Sequence, residues 1–119
     1  MSQSTKKEIQ SFSSCIRSII YKPNGFHIVD RRKNMKTLTE NNIPIEIAKL
    51  YIEKLKVKNY CKGPLKDKNK NYNHKWWIFG KKIESILFYI KIRINIKDKK
   101  QVVCFSFHPA KFTMDFPYS

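Results

Sequence analysis

The sequence predicts an α+β fold: an antiparallel or mixed sheet of three to five strands, packed by two or three helices. Three observations carry this. Apolar residues recur at helical spacing in the first half, at Ile9, Phe12, Ile16, Ile19 and Ile20, and again at Ile43, Ile47, Leu50 and Tyr51. The stretch ILFYIKIRINI, residues 86–96, alternates strictly, as a half-buried strand does. QVVCFSF, residues 101–107, then returns after the polar KDKK, so the two runs read as a hairpin. At 119 residues the chain is one domain, long enough to bury a core without staples.

The elements follow in order. Thr5 and Glu8 match the T-x-x-E capping box, which starts the first helix. KPNG at 22–25 stops it, and FHIV at 26–29 reads as a short strand. DRRKNMKTLTENN reads as a loop or short helix around Met35 and Leu38. NNIP opens another helix, with an Asn cap, Pro44 in its first turn and Leu55 near its end. Residues 4–58 thus form a helical half. Residues 59–75 read as an exposed basic loop, 76–108 as a sheet beginning at WWIF, and 109–119 as a tail.

The hairpin register follows by counting. If Asp98 and Lys99 close a tight turn, Lys97 sits opposite Lys100. Ile94 then meets Val103, Ile92 meets Phe105, and Ile90 meets Phe107, all apolar and all facing the core. The other face carries Arg93 opposite Cys104, Lys91 opposite Ser106, and Tyr89 opposite His108.

Charge is the loudest compositional signal. There are 25 Lys and Arg against 9 Asp and Glu, a formal net charge of +16, which attracts polyanions and above all nucleic acid. The excess is mostly Lys, whereas sequence-specific duplex reading more often uses Arg. Residues 54–82 hold ten Lys and a single acid, Asp67. A solvated charge run is the ordinary fate of such a segment. Here Tyr60, Tyr72, Trp76 and Trp77 are interleaved with the lysines, an arrangement suited to stacking unpaired bases while holding phosphates. Lys66, Lys68, Lys75 and Trp77 are therefore candidates for RNA contact, although WWIF can equally place a tryptophan in the core. No run of apolar residues is long enough for a membrane span, and MSQSTKKEIQ lacks the apolar segment of a secretory signal. Cys15, Cys61 and Cys104 are odd in number and widely spaced, which fits a reduced cytoplasm rather than a disulfide framework.

His108 ends the last strand, beside Tyr89 on the polar face and near Lys91, Arg93 and Ser106. That grouping suits RNA cleavage by the RNA's own 2′-OH. An imidazole exchanges protons near neutral pH, and the cations stabilise charge on the phosphorane. His27 reads as structural and His74 as a solvated loop residue. No HxH or HxxxH pair occurs and acids are scarce, so neither a metal nor a cofactor is expected.

Several short motifs resemble the MqsR-like branch of the RelE-type mRNA interferase toxins. LKVKNYCKG at 55–63 resembles the family segment that carries a functional lysine, which implies a role for Lys62. KWWIFG resembles the following strand. FYIKI resembles the family's Tyr-x-Lys strand, which implies an active-site role for Tyr89, and CFSFH resembles its Ser-Phe strand, with His108 at the basic position. The sequence departs from the family in having His108 in place of lysine, Ile78 where the branch has a catalytic glutamine, and a longer tail. The resemblance implies a RelE-like sheet packed by helices, metal-independent cleavage of mRNA, free or ribosome-associated, and a neutralising antitoxin as partner. Two other readings stand beside it: a non-catalytic basic nucleic-acid-binding module, and a protein-interaction module whose partner is acidic.

Overall fold

A computed structural model describes residues 3–69, 74–96 and 100–119. Helix α1 (Lys6–Ile19) leads to strand β1 (Phe26–Ile28), then to helices α2 (Arg32–Glu40) and α3 (Ile45–Glu53) and a 3-10 turn at Val57–Asn59. Strands β2 (Tyr60–Lys66), β3 (Lys75–Ile83), β4 (Ile86–Asn95) and β5 (Gln101–Pro109) complete the chain. The five strands form one open sheet in the order β1-β5-β4-β3-β2. Strand β1 runs parallel to β5 and the other pairings are antiparallel. The α+β expectation holds. Among the described residues no helix is long and apolar enough to cross a membrane.

The capping box is formed. Glu8 N–H donates to Thr5 Oγ1 at 3.1 Å, and Thr5 N–H donates to the Glu8 carboxylate at 2.7 Å. Below it, Ile9, Ile16, Ile19 and Ile20 are buried against the sheet, and Phe12 stacks on Trp77 at 4.2 Å. Helix α3 differs from expectation. Pro44 is its N-cap rather than part of its first turn, and its buried side is Ala48 and Ile52, while Ile47 and Leu50 face solvent. Ile43, in the short chain between α2 and α3, is buried in the core as well.

The segment expected as a basic loop starts instead with a strand. Tyr60–Lys66 pairs with β3, from Tyr60 opposite Phe79 to Lys66 opposite Lys75. Tyr60 explains the change. It is fully buried, packed edge-on to Trp77 and Phe79, with its hydroxyl donating to Gly63 O. Burial of that ring outweighs the loop-forming Lys, Gly and Pro around it. In β4 the apolar parity faces the core at Phe88, Ile90 and Ile92, but Ile86 and Ile96 at its ends are exposed, Ile96 to 74%.

Strand β5 departs from the counted register. Tyr89↔His108, Ile90↔Phe107 and Lys91↔Ser106 pair as expected, but Ile92 meets Cys104, Arg93 meets Val103, and Ile94 meets Val102. Phe105 is the extra residue of a β-bulge and has no partner on β4. The core parity of β5 is therefore Val102, Cys104 and Phe107, while Phe105 is left outside the core cluster. The turn expected at Asp98–Lys99, with Lys97 opposite Lys100, lies outside the described residues.

Side chains of α2 fasten the bulge. Strand β1 ends at Ile28, so β5 beyond Cys104 has no neighbouring strand on that side. The Asn34 side chain takes the place of one. It donates to Phe105 O and Val29 O, each at 3.0 Å, and accepts from Phe107 N–H at 2.9 Å. Arg31 adds hydrogen bonds to Phe105 O at 3.0 Å and to Ser106 Oγ at 2.9 Å.

The tail packs on the sheet face that carries no helix. Ala110 N–H donates to Leu87 O, and the Phe116 ring edge lies against Gly80. A Cβ at Gly80 would stand 2.5 Å from Phe116 Cζ, so only glycine admits this approach. The tail then reaches the residues just before α1, where the Tyr118 hydroxyl donates to Ser4 O at 2.6 Å.

Asn34→Ala should strand a buried amide and carbonyls and destabilise the fold by about 2–3 kcal/mol, read from chemical denaturation midpoints. An Asn34→Asp variant keeps the acceptor but sets a buried carboxylate against the carbonyl oxygens of Val29 and Phe105, so it should destabilise at least as much as Asn34→Ala.

Candidate functional site

The sheet has two faces of different chemistry. One packs on the helices. The other presents Tyr89, Lys91 and Arg93 from β4, with Ser106 and His108 from β5 and Trp76 and Ile78 from β3. Lys62 stands opposite Ile78 and joins this face from β2. The parity argument for His108 and Tyr89 holds: their rings stack at 5.6 Å between centroids, with planes 23° apart.

His108 Nδ1 lies 3.0 Å from Pro109 O. A carbonyl can only accept, so in this contact Nδ1 carries the proton and Nε2 is the basic nitrogen of the neutral ring. Burial is the first cause holding the His108 pKa below the ordinary value. The Pro109 hydrogen bond opposes it, and the charges of Lys33, Arg31 and Lys111 push it down further. Burial raises the Tyr89 pKa, so the phenol keeps its proton at neutral pH. Burial lowers the Lys91 pKa while the Asp67 charge raises it, and the same two influences act on Arg93.

Beyond Lys91 the face becomes aromatic. Trp76 and Phe105 lie 5.4 Å apart. Lys91 Nζ sits 5.3 Å from the Trp76 ring and 5.1 Å from Phe105, Arg93 lies 5.2 Å from Trp76, and Arg31 lies 4.1 Å from Phe105. Asp67 accepts from Trp76 Nε1 at 3.1 Å and lies 3.6 Å from His74 Nδ1, which ties the strand-end loop to this cluster. Lys68 acts on Lys91 from the same loop.

Four residues expected to contact RNA are placed otherwise. Trp77 lies on the helix side, stacked on Phe12, and its neighbour Trp76 takes the polar face. In WWIF either tryptophan can face the core, and the pairing of Tyr60 with Phe79 decides which one does. Ser106 shares the face but is 3% exposed, with its hydroxyl accepting from Arg31. Lys66 and Lys75 pair with each other at the parity of Trp77, away from His108. Lys62, Lys91 and Arg93 share the polar sheet face with His108 and Tyr89, and Lys68 acts on Lys91. His27 is exposed on β1, and the three cysteines are free. Among the described residues no three of His, Cys, Asp and Glu gather to hold a metal ion.

Sequence reading missed Arg31 and Phe105. Arg31 sat in a segment read as loop or short helix. Its charge acts on Lys33, Tyr89, Lys91 and His108 alike. Phe105 was assigned to the core because strict alternation places it there; only the bulge turns it over.

No family model, curated protein or solved structure matches this chain.

A ¹H NMR titration should place the His108 Hε1 midpoint below 6.5, the ordinary histidine value. In urea the same resonance should return to that value. The folded form then binds the proton less readily than the unfolded one, so stability falls as pH drops from the ordinary value through the lowered one.

Proposed function

We propose that this chain is an endoribonuclease that cleaves single-stranded RNA by attack of the 2′-OH on the adjacent phosphate, without a metal ion. The observation that carries the reading is the His108 imidazole stacked beside the Tyr89 phenol among cations. Nε2 of neutral His108 takes the 2′-OH proton as the 2′-oxygen bonds to phosphorus. The P–O5′ bond breaks, and the proton passes to the leaving O5′. The products are a 2′,3′-cyclic phosphate and a 5′-OH. Tyr89 donates a hydrogen bond to the phosphate or holds the ring, and Lys91, Lys62 and Arg31 offset charge on the phosphorane. A lowered histidine pKa suits this role, since it leaves the base unprotonated at neutral pH.

The resemblance of FYIKI and CFSFH to RelE-type strands supports the same chemistry and a biological setting: a cytoplasmic toxin held in check by an acidic antitoxin. Binding without cleavage is the second reading. The Trp76–Phe105 pair with its three cations favours it, because such a group holds phosphates whether or not a bond breaks.

Purified protein incubated with a long single-stranded RNA and a chelator should yield cyclic-phosphate ends. His108→Ala should slow cleavage roughly 10²- to 10⁴-fold, and Tyr89→Phe by less. Intact RNA with the parent protein, or equal rates for parent and His108→Ala, would leave only the binding reading. Activity should also fall as pH drops through the lowered His108 pKa.

A further inference from the structure

Gly80 stands directly opposite Tyr89 in the β3–β4 ladder, on the face that carries His108. Opposed side chains in such a ladder hold their Cβ atoms about 5 Å apart. Gly80 offers none, and the C-terminal tail fills the place. Phe116 Cζ lies 2.5 Å, Phe116 Cε1 2.7 Å and Met114 Cε 3.1 Å from where a Cβ of residue 80 would stand. Tyr89 thus has His108 stacked across from it on β5, and the Phe116 ring in the side-chain position across from it on β3.

The tail is held on both sides of this ring. Before it, Ala110 N–H donates to Leu87 O at 2.8 Å. After it, the Tyr118 hydroxyl donates to Ser4 O at 2.6 Å and accepts from Gln3 Nε2 at 3.1 Å, and the Tyr118 ring lies 6.1 Å from Tyr60. Every second side chain of this stretch, Met114, Phe116 and Tyr118, is half-buried, while Asp115 and Pro117 are exposed. A glycine inside a strand loses packing and costs backbone entropy, and the close approach of another segment is one reason for it to stand there. Here the approaching group is an apolar ring, set beside the phenol of the site rather than in the core.

We propose that Phe116 is a positioning residue of the site: it closes the flank of Tyr89 that faces away from His108 and so holds the phenol on the imidazole. This rests on the nuclease reading above, in which Tyr89 donates to the phosphate or holds the histidine ring. A phenol free to lean toward Gly80 does neither. A tyrosine has few staggered orientations, and a ring standing where residue 80 has no side chain removes those that lean toward β3. The tail is in this way a part of the site, although none of its side chains touches the reacting atoms.

The test uses the full chain. His108 Hε1 is read by ¹H NMR above its titration, where the stacked phenol shields it. Phe116→Ala, which empties the place, and Gly80→Ala, whose Cβ drives the ring out, should both move that resonance toward its value in urea. In Phe116→Ala the Tyr89 phenol should also titrate closer to the ordinary tyrosine value, as burial is lost. Phe116→Leu, which refills most of the place, should lie between parent and Phe116→Ala. Phe112→Ala removes the same kind of ring from an exposed part of the tail and should keep the parental resonance. RNA cleavage should slow on the order of 10-fold in Phe116→Ala. That loss should vanish in a Tyr89→Ala background, because the ring acts only through Tyr89. A parental Hε1 resonance in both Phe116→Ala and Gly80→Ala, losses that multiply with Tyr89→Ala, or faster cleavage without Phe116 overturns the proposal. Parent protein that cuts no RNA defeats the nuclease reading, and the resonance then decides alone whether Phe116 holds the pair together.

Discussion

The extra residue in β5 sets the geometry on which the rest depends. A strand of strict alternation would put Phe105 in the core and leave Ser106 and His108 in a different relation to α2. The bulge turns Phe105 outward instead and places Cys104 against Ile92 in the core. Such an insertion leaves backbone groups unpaired, and they cannot be abandoned in a buried place. Asn34 meets that requirement. Its amide offers one acceptor and two donors, and all are spent on the backbone of β5 and on Val29. Helix α2 is thereby fixed to the strand end that carries His108, and Arg31 is delivered to the polar face.

The polar face concentrates charge of one sign. Burial already disfavours the charged forms of Lys91 and Arg93, and among the described residues Asp67 is the counter-charge that acts on both. Aromatic rings do part of the compensating: Trp76 and Phe105 offer their faces to three cations and keep the alkyl stems ordered. An arrangement of this kind is less costly when a polyanion lies on it than when water does. Arg31 belongs to both settings: it lies over Phe105, and after burial and beside Lys33 and Lys111 its charge helps hold the His108 pKa below the ordinary value.

Much of this was legible in the residues. The capping box, the α1 stripe, the β4 alternation and the Tyr89–His108 pairing follow from spacing alone. The last was reached by a count with two errors that cancel. Near the turn the register differs by one residue from the counted one, and the bulge at Phe105 adds that residue back before His108 is reached. Nothing in QVVCFSF marks the insertion, because Val102 and Val103 suit the core equally. What fixes it is Asn34, more than 70 residues away in sequence. Tyr60–Lys66 was hidden for a related reason: its composition is that of a loop, and a single buried ring makes it a strand. The choice between Trp76 and Trp77, and the role of Arg31, likewise depend on contacts between distant segments.

The margins of the sheet show a further effect of these same residues. An open sheet invites a foreign strand to pair along its rim and so to polymerise. On one rim β1 is three residues long, and beyond it Asn34 already occupies the amide of Phe107 and the carbonyl of Phe105. On the other rim β2 carries Pro64, which has no N–H to give, two breaks in its register, and the like charges of Lys62 and Lys66. The features that shape the polar face thus also deny both rims to edge-to-edge assembly.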